Sequence, residues 1–325
     1  MNLALLLALG AGLYVFASGK SKTSSSDSKP SAPKPNKPKP GETSPPMPND
    51  PYNPADPSPT TPASITTDDG LAWAKSLPNK PTKSREDAIY QAVKDGLARI
   101  EWANVTTEAK GFRGTVRVFA RTLRIGKTNP VRVSVNFETA QRICNLLGCA
   151  MVTSKVADLT RLQSVNKLAA LPMNKWVQDG TMANTDRMIE YSQKLDGKLG
   201  VNDTALTSNE GKHWVNTKRF WTEPQNPPKS ANYGWWSDGA PYEGKIGKMW
   251  QTVGLAHNFQ HVDYSQQIVL MDQMMSVEGL GNVHVGSVLK HPDLCYLLNY
   301  DGPLASWGHP AFKLPNTPDL DISAI

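Results

Sequence analysis

Four residues capable of acid, base or nucleophile chemistry fall within nine positions, His257, His261, Asp263 and Ser265, in the stretch LAHNFQHVDYSQQIVLM. The alternation of Val262, Tyr264 and Ile268 with polar neighbours predicts a strand over residues 261–270, which places His261, Asp263 and Ser265 on one face. Three chemistries are compatible with that set. In the first, His257, His261 and Asp263 ligate a divalent metal such as zinc, and hydroxide formed on the metal attacks a scissile carbonyl. In the second, Ser265 is a nucleophile activated by His257 and oriented through Asp263. In the third, these are ordinary hydrogen-bonding groups where a loop meets a strand. Spacing alone does not choose, because a His-x3-His pair shares a face only on a helix.

Upstream lies a concentration of aromatic residues. Five of the nine tryptophans (Trp214, Trp221, Trp235, Trp236 and Trp250) occur in residues 212–267 together with Tyr233, Tyr242 and Tyr264. Indole and phenol rings offer flat apolar faces with a polar tip, which suits sugar rings or peptide backbone at a wet surface. Trp235 and Trp236 are adjacent, so in a strand they face opposite sides, and one of them is expected to look outward or into a cleft as a substrate platform. Tyr233 and Asn216 are further candidates for substrate contact. Lys155, close to Asp158, is a candidate for catalysis, and Lys218 and Arg219 are placed to hold a carboxylate or phosphate.

The elements that must position these residues belong to a mixed α+β domain. Residues 84–100 read as an amphipathic helix capped by Ser84, with Ile89, Val93, Leu97 and Ile100 on its apolar stripe. From Gly114, Val116, Val118 and Ala120 alternate with Arg117, Arg121 and Arg124. The turn KTNP follows, and VRVSV resumes the alternation, predicting two strands with a solvated arginine face. Further helices are predicted over 138–147, stopped by Gly148, and over 155–170. The expectation is one globular domain over residues 66–325, helical in its N-terminal portion and β-rich in its C-terminal portion, with a possible subdivision near 172–210. Cys144 is expected in the core of its helix, and a Cys144–Cys149 bridge is conceivable in an oxidising compartment. The three cysteines contain no CxxC motif.

The first 65 residues have a different composition. Residues 3–18, LALLLALGAGLYVFAS, carry no charge, and 13 of the 26 prolines lie between residues 30 and 62. The apolar run is slightly shorter than the roughly 20 residues of a full membrane span. It lacks the basic n-region of a cleavable signal, so residues 1–19 are expected to be an uncleaved membrane anchor. Residues 20–65 cannot form a core and read as an extended Pro/Ser/Lys-rich disordered tether. Lysines follow the apolar run, which by charge alone favours a cytoplasmic domain. The layout of anchor, tether and domain instead favours an extracytoplasmic one, and that is the expectation. Beyond the tether the net charge is only +4, so no specific nucleic-acid partner is expected.

The succession FETAQRICNLLGCAMVTSKVADL, VNTKR, ANYGWW, and a His before VDYSQ resembles a family of uncharacterised secreted or envelope-associated bacterial and phage proteins, over roughly residues 84–305. The resemblance implies an envelope or virion context and no particular activity, and it singles out Lys155, Tyr233, Trp235, His257, Asp263 and Ser265. Where that pattern continues with His and Gly after the serine, this chain has Gln266 and Gln267. Together these readings give the expectation of a membrane-tethered hydrolase acting on peptidoglycan or peptide. The alternative is a non-catalytic wall-binding or virion structural protein.

Overall fold

The computed structural model of the protein describes residues 67–237, 249–320 and 322–323. The expected anchor and tether lie outside the described residues. Among those described, no helix is long and apolar enough to cross a membrane.

Local sequence chemistry sets the helix ends. Helix α1 (Gly70–Ser76) is capped by the Asp69 carboxylate, which accepts from Leu71 N and Ala72 N at 2.9 and 3.0 Å. Helix α2 (Lys83–Lys94) starts after Thr82, two residues before the predicted cap at Ser84. It also ends early, because Gly96 takes φ +79° and turns the chain out of the helix. Residues 97–100 therefore leave the helix, and Ala98–Arg99 form strand β1.

Strands β2 (Trp102–Ala109) and β3 (Phe112–Phe119) pair through Lys110 and Gly111, both at positive φ, as a two-residue hairpin requires. In β3, Val116 and Val118 point into the core, as expected, but the strand ends at Phe119. The chain then turns inward. Arg121 and Arg124, predicted on a solvated face, are buried instead. The predicted KTNP connection is present, joining β4 (Arg124–Ile125) and β5 (Val131–Arg132), with Ile125 opposite Val131.

Helix α3 (Phe137–Leu146) is capped by Asn136 and followed by Gly148 at φ +61°, close to the predicted limits. Strand β6 (Cys149–Met151) follows. Cys144 is in the core, but no bridge joins it to Cys149: both are free thiols, and Cys144 Sγ donates to Cys149 O at 3.1 Å. Reductant is accordingly expected to leave the melting temperature unchanged; a fall of several degrees in a thermal scan would indicate a bridge.

Helix α4 (Ser154–Gln163) is shorter than the predicted 155–170. Its apolar stripe does not stay buried, for Leu162 and Val165 are 43% and 76% exposed. The backbone N–H groups of Val165 and Asn166 donate to Leu206 O, so the chain joins a short parallel pair, β7 (Asn166–Lys167) with β8 (Thr207–Ser208). Between these strands come α5 (Asn174–Gln178) and α6 (Thr185–Leu199). Met188 and Ile189 of α6 belong to the main core, so this stretch is packed on the rest of the domain.

The remaining elements are β9 (Lys212–Trp214), α7 (Arg219–Thr222), β10 (Lys229–Trp236), β11 (Met249–Asn258), β12 (Gln266–Gln267), β13 (Leu270–Val277), β14 (Gly281–His284) and α8 (Val285–Lys290). One sheet runs β14-β13-β3-β2, with β6 also on β13; a second runs β11-β10-β9-β12; a third joins β1, β4 and β5. The α+β class holds. A helical N-terminal part beside a β-rich C-terminal part does not, because β13 pairs directly with β3 and β6.

Candidate functional site

The second sheet gathers the polar residues by its register. Ser230 pairs with His257, Asn232 with Gly254 and Trp214, Gly234 with Lys212, and Lys212 with Gln266. Side chains at paired positions share a face, and so do those two apart along a strand. Lys212, Asn232, His257 and Gln266 therefore lie on one face of the sheet, while His213 and Tyr233 lie on the other.

Residues 261–265 are not the predicted strand. They form a turn in which Gln266 N donates to Asp263 O at 3.1 Å and Ser265 N donates to Asp263 Oδ1 at 2.7 Å. A carboxylate accepting from the backbone two residues on stabilises a turn at this point rather than an extended chain. The turn, not strand alternation, brings Asp263 and Ser265 together. Close approach to β9 needs Gly211, since a Cβ there would lie 2.3 Å from Ser265 O.

Asp263 is the centre of the arrangement. It is 1% exposed and accepts from Ser265 Oγ at 2.5 Å on Oδ1 and from Lys212 Nζ at 2.6 Å on Oδ2. His261 Nε2 stands 3.9 Å from Oδ2, and the His257 ring lies parallel to the His261 ring with centroids 3.6 Å apart. Burial alone would raise the Asp263 pKa, but the Lys212 ammonium and His261 reverse this and hold the carboxyl well below the usual range. The carboxylate is thus ionised and neutralised within the fold. Outward from it, His261 is 19% exposed and His257 is half-buried.

An aromatic wall borders this cluster. Trp235 takes φ +62°, which breaks the strand alternation and turns its ring toward Lys212, whose Nζ is 5.6 Å from the ring centroid. Trp235 and Trp236 do enter different sides, as predicted, but neither looks outward. Trp236 is in the main core, and Trp235 is buried in a second apolar cluster with Trp176, Tyr191, Leu195 and Tyr264. The outward ring is Trp250, 56% exposed, packed edge-on against Trp235 at 5.8 Å.

Other predicted site residues are elsewhere or differently employed. Tyr233 is buried on the opposite face and donates to Asp158 Oδ1 at 2.9 Å, while Tyr300 donates to Asp158 Oδ2 at 3.0 Å. Burial, reinforced by Asp158, raises the Tyr233 pKa. Lys155 belongs to this second group: its Nζ donates to Tyr296 O and lies 5.9 Å from the Tyr300 ring, and burial lowers its pKa. Asn216 is buried and donates to Ser306 O at 3.1 Å. Arg219 pairs with Glu223 and donates to Val253 O at 2.7 Å, bracing β11.

The expected metal set of His257, His261 and Asp263 is not assembled. Among the described residues no three His, Cys, Asp or Glu side chains come together as metal ligands, and both Asp263 oxygens already accept from neighbours. Ser265 is not an accessible nucleophile, because it is buried and its hydroxyl is committed to Asp263. Lys212 and Asn232 went unrecognised in the sequence. Their only signal is their place in the runs KHW and ANYGWW, polar residues among aromatics. The chain matches no protein-family model, no curated protein and no solved structure.

Proposed function

We propose that the chain is a membrane-tethered, extracytoplasmic domain that hydrolyses a cell-wall polymer or peptide by acid–base chemistry at His257 and His261. The observation that carries this reading is the stacked imidazole pair at the rim of a buried, ionised carboxylate. Asp263 would orient His261, while Lys212 and Ser265 fix the carboxylate, as a base held by an acid requires. His261, rather than His257, is the imidazole that faces Asp263, and Trp250 would offer the exposed ring to substrate. The anchor over residues 3–18 and the tether supply the envelope context of the proposal.

A second reading, a non-catalytic wall-binding or virion structural module, is favoured by the burial of Asp263, Ser265 and Tyr233. The two are separated by zymography on purified peptidoglycan with the full chain in detergent, with and without chelator. His261→Asn is expected to lose at least ~100-fold in clearing, the usual scale of a lost general base, and chelator to have no effect. No clearing by the wild type leaves the binding module, and equal clearing by the variant removes His261 from the chemistry.

A further inference from the structure

The outer face of the sheet β14-β13-β3-β2 carries short polar side chains in register. Thr106 of β2 pairs with Thr115 of β3, Thr115 with Ser276 of β13, and Ser276 with Asn282 of β14, so these four residues form one row straight across four strands. Thr106, Ser276 and Asn282 are exposed, and Thr115 is half-buried. Thr106, Thr115 and Ser276 line an open hollow of about 740 Å³, together with Glu108, Arg113 and Glu278.

Charge stays off the row. Arg113 pairs with Glu108 at 3.1 Å on one side of it, and Arg117 pairs with Asp272 on the other. With Glu278 the face holds more carboxylates than guanidinium groups, which disfavours a polyanion. The edge of the sheet is closed as well. Gln163 Oε1 accepts from Thr106 N at 2.9 Å and from Thr106 Oγ1 at 3.0 Å, and its Nε2 donates to Thr106 O at 2.8 Å. These bonds occupy the backbone groups that an added strand would need at Thr106, and they hold that end of the row in place.

We propose that this face binds an extended, uncharged polysaccharide chain. Neighbouring strands lie about 4.8 Å apart, close to the advance of one ring in an extended β-linked glycan, so a chain laid along the row meets one polar side chain per sugar. Hydroxyls and the Asn282 amide both donate and accept, as sugar hydroxyls require, and Leu159 adds an apolar contact for a ring face at the Thr106 end. An extended peptide advances about 3.3 Å per residue and falls out of step with the row. The inference rests on this face alone and needs neither the imidazole pair nor hydrolysis. Cellulose, chitin and the glycan strands of peptidoglycan share the chemistry.

The test is a set of depletion isotherms of the full chain in detergent on insoluble cellulose, chitin and purified peptidoglycan. At least one is expected to bind the wild type, the binder identifying the source. The double variant Thr115→Val with Ser276→Ala is expected to weaken that binding at least ~10-fold, the scale of two lost hydrogen bonds, with the melting temperature unchanged. Should Thr115→Val destabilise the sheet, Ser276→Ala with Asn282→Ala, both at exposed positions, reads the same loss. No binding to any of the three, or binding that the row variants leave unchanged, overturns the inference. Row-dependent binding by a protein that clears no peptidoglycan keeps it and removes the hydrolase. Clearing that needs His261, without row-dependent binding, does the reverse.

Discussion

Glu210→Gln is expected to lower the unfolding free energy by about 3–5 kcal/mol, the cost of breaking a buried ion pair by removing one partner. Glu210 Oε1 accepts from Arg121 Nε and Thr122 N, each at 3.0 Å, and Oε2 accepts from Arg121 Nη2 at 3.2 Å and from Arg132 Nε. Both guanidinium groups have no side-chain exposure. Burial alone would raise the Glu210 pKa, yet Arg132 and Arg121 hold it below the ordinary carboxylate range, so the group is charged in the folded state. Glutamine keeps the volume but strands two cations in a medium that cannot solvate them. Arg132 retains Asp196 at 2.5 Å, whereas Arg121 keeps only the carbonyl of Asp203, so Arg121 is the group left uncompensated. Urea unfolding with unchanged m-value checks this; a loss under 1 kcal/mol would show that water reaches the pair.

The network also bears on the candidate site, because Glu210 is two residues from Lys212 and separated from it only by Gly211. Anchoring Glu210 to β5 and the segment after β3 fixes where β9 begins, and hence where Lys212 meets Asp263. The imidazoles of the proposed site thus stand beside a rigid support, which is what orientation of a catalytic base would demand. A structural ligand cradle would use the same rigidity.

How much of this was legible follows from the distance over which each feature is determined. The start of α3 and its glycine stop, and the β4–β5 hairpin, depend on residues within a few positions of one another, and the sequence displays them. The arginines mislead for the opposite reason. Alternation tells which residues share a face but not what covers that face, and Arg121, Arg132 and Arg124 find their carboxylates 89, 64 and 23 residues away. The same holds for Asp263, whose cation lies 51 residues upstream at Lys212. His261, Asp263 and Ser265 do lie together, but not through strand alternation: a turn closed on the Asp263 side chain replaces the strand. Strand β2 escaped because the apolar residues of WANVTTEA do not alternate regularly with polar ones, and its register comes from β3.

Stability is expected to fall steeply as the pH drops from about 6.5 to about 4, by about 3 kcal/mol for each of two buried histidines. His213, fully enclosed beside Trp236, has its pKa pushed down to about 4 by burial, with Glu210 opposing weakly. His309 packs against the rings of Phe137, Phe220 and Phe259 and accepts from Ala311 N at 3.0 Å; burial pushes it to about 4 as well. Above pH 6.5 both states are neutral at these sites and nothing is lost. Between 6.5 and 4 the unfolded chain binds protons that the folded chain refuses, so each pH unit costs about 1.4 kcal/mol per histidine. Below 4 both states are protonated there, and further loss comes from carboxylates with lowered pKa values, Glu210 and Asp263 among them, which give the same sign at lower pH. His213→Phe removes one of the two sites while keeping a ring in the core. Urea unfolding at pH 7, 5.5 and 4.5 should show the variant losing about half as much stability as the wild type across that interval, and parallel losses in the two proteins would mean that His213 is solvated and charges freely.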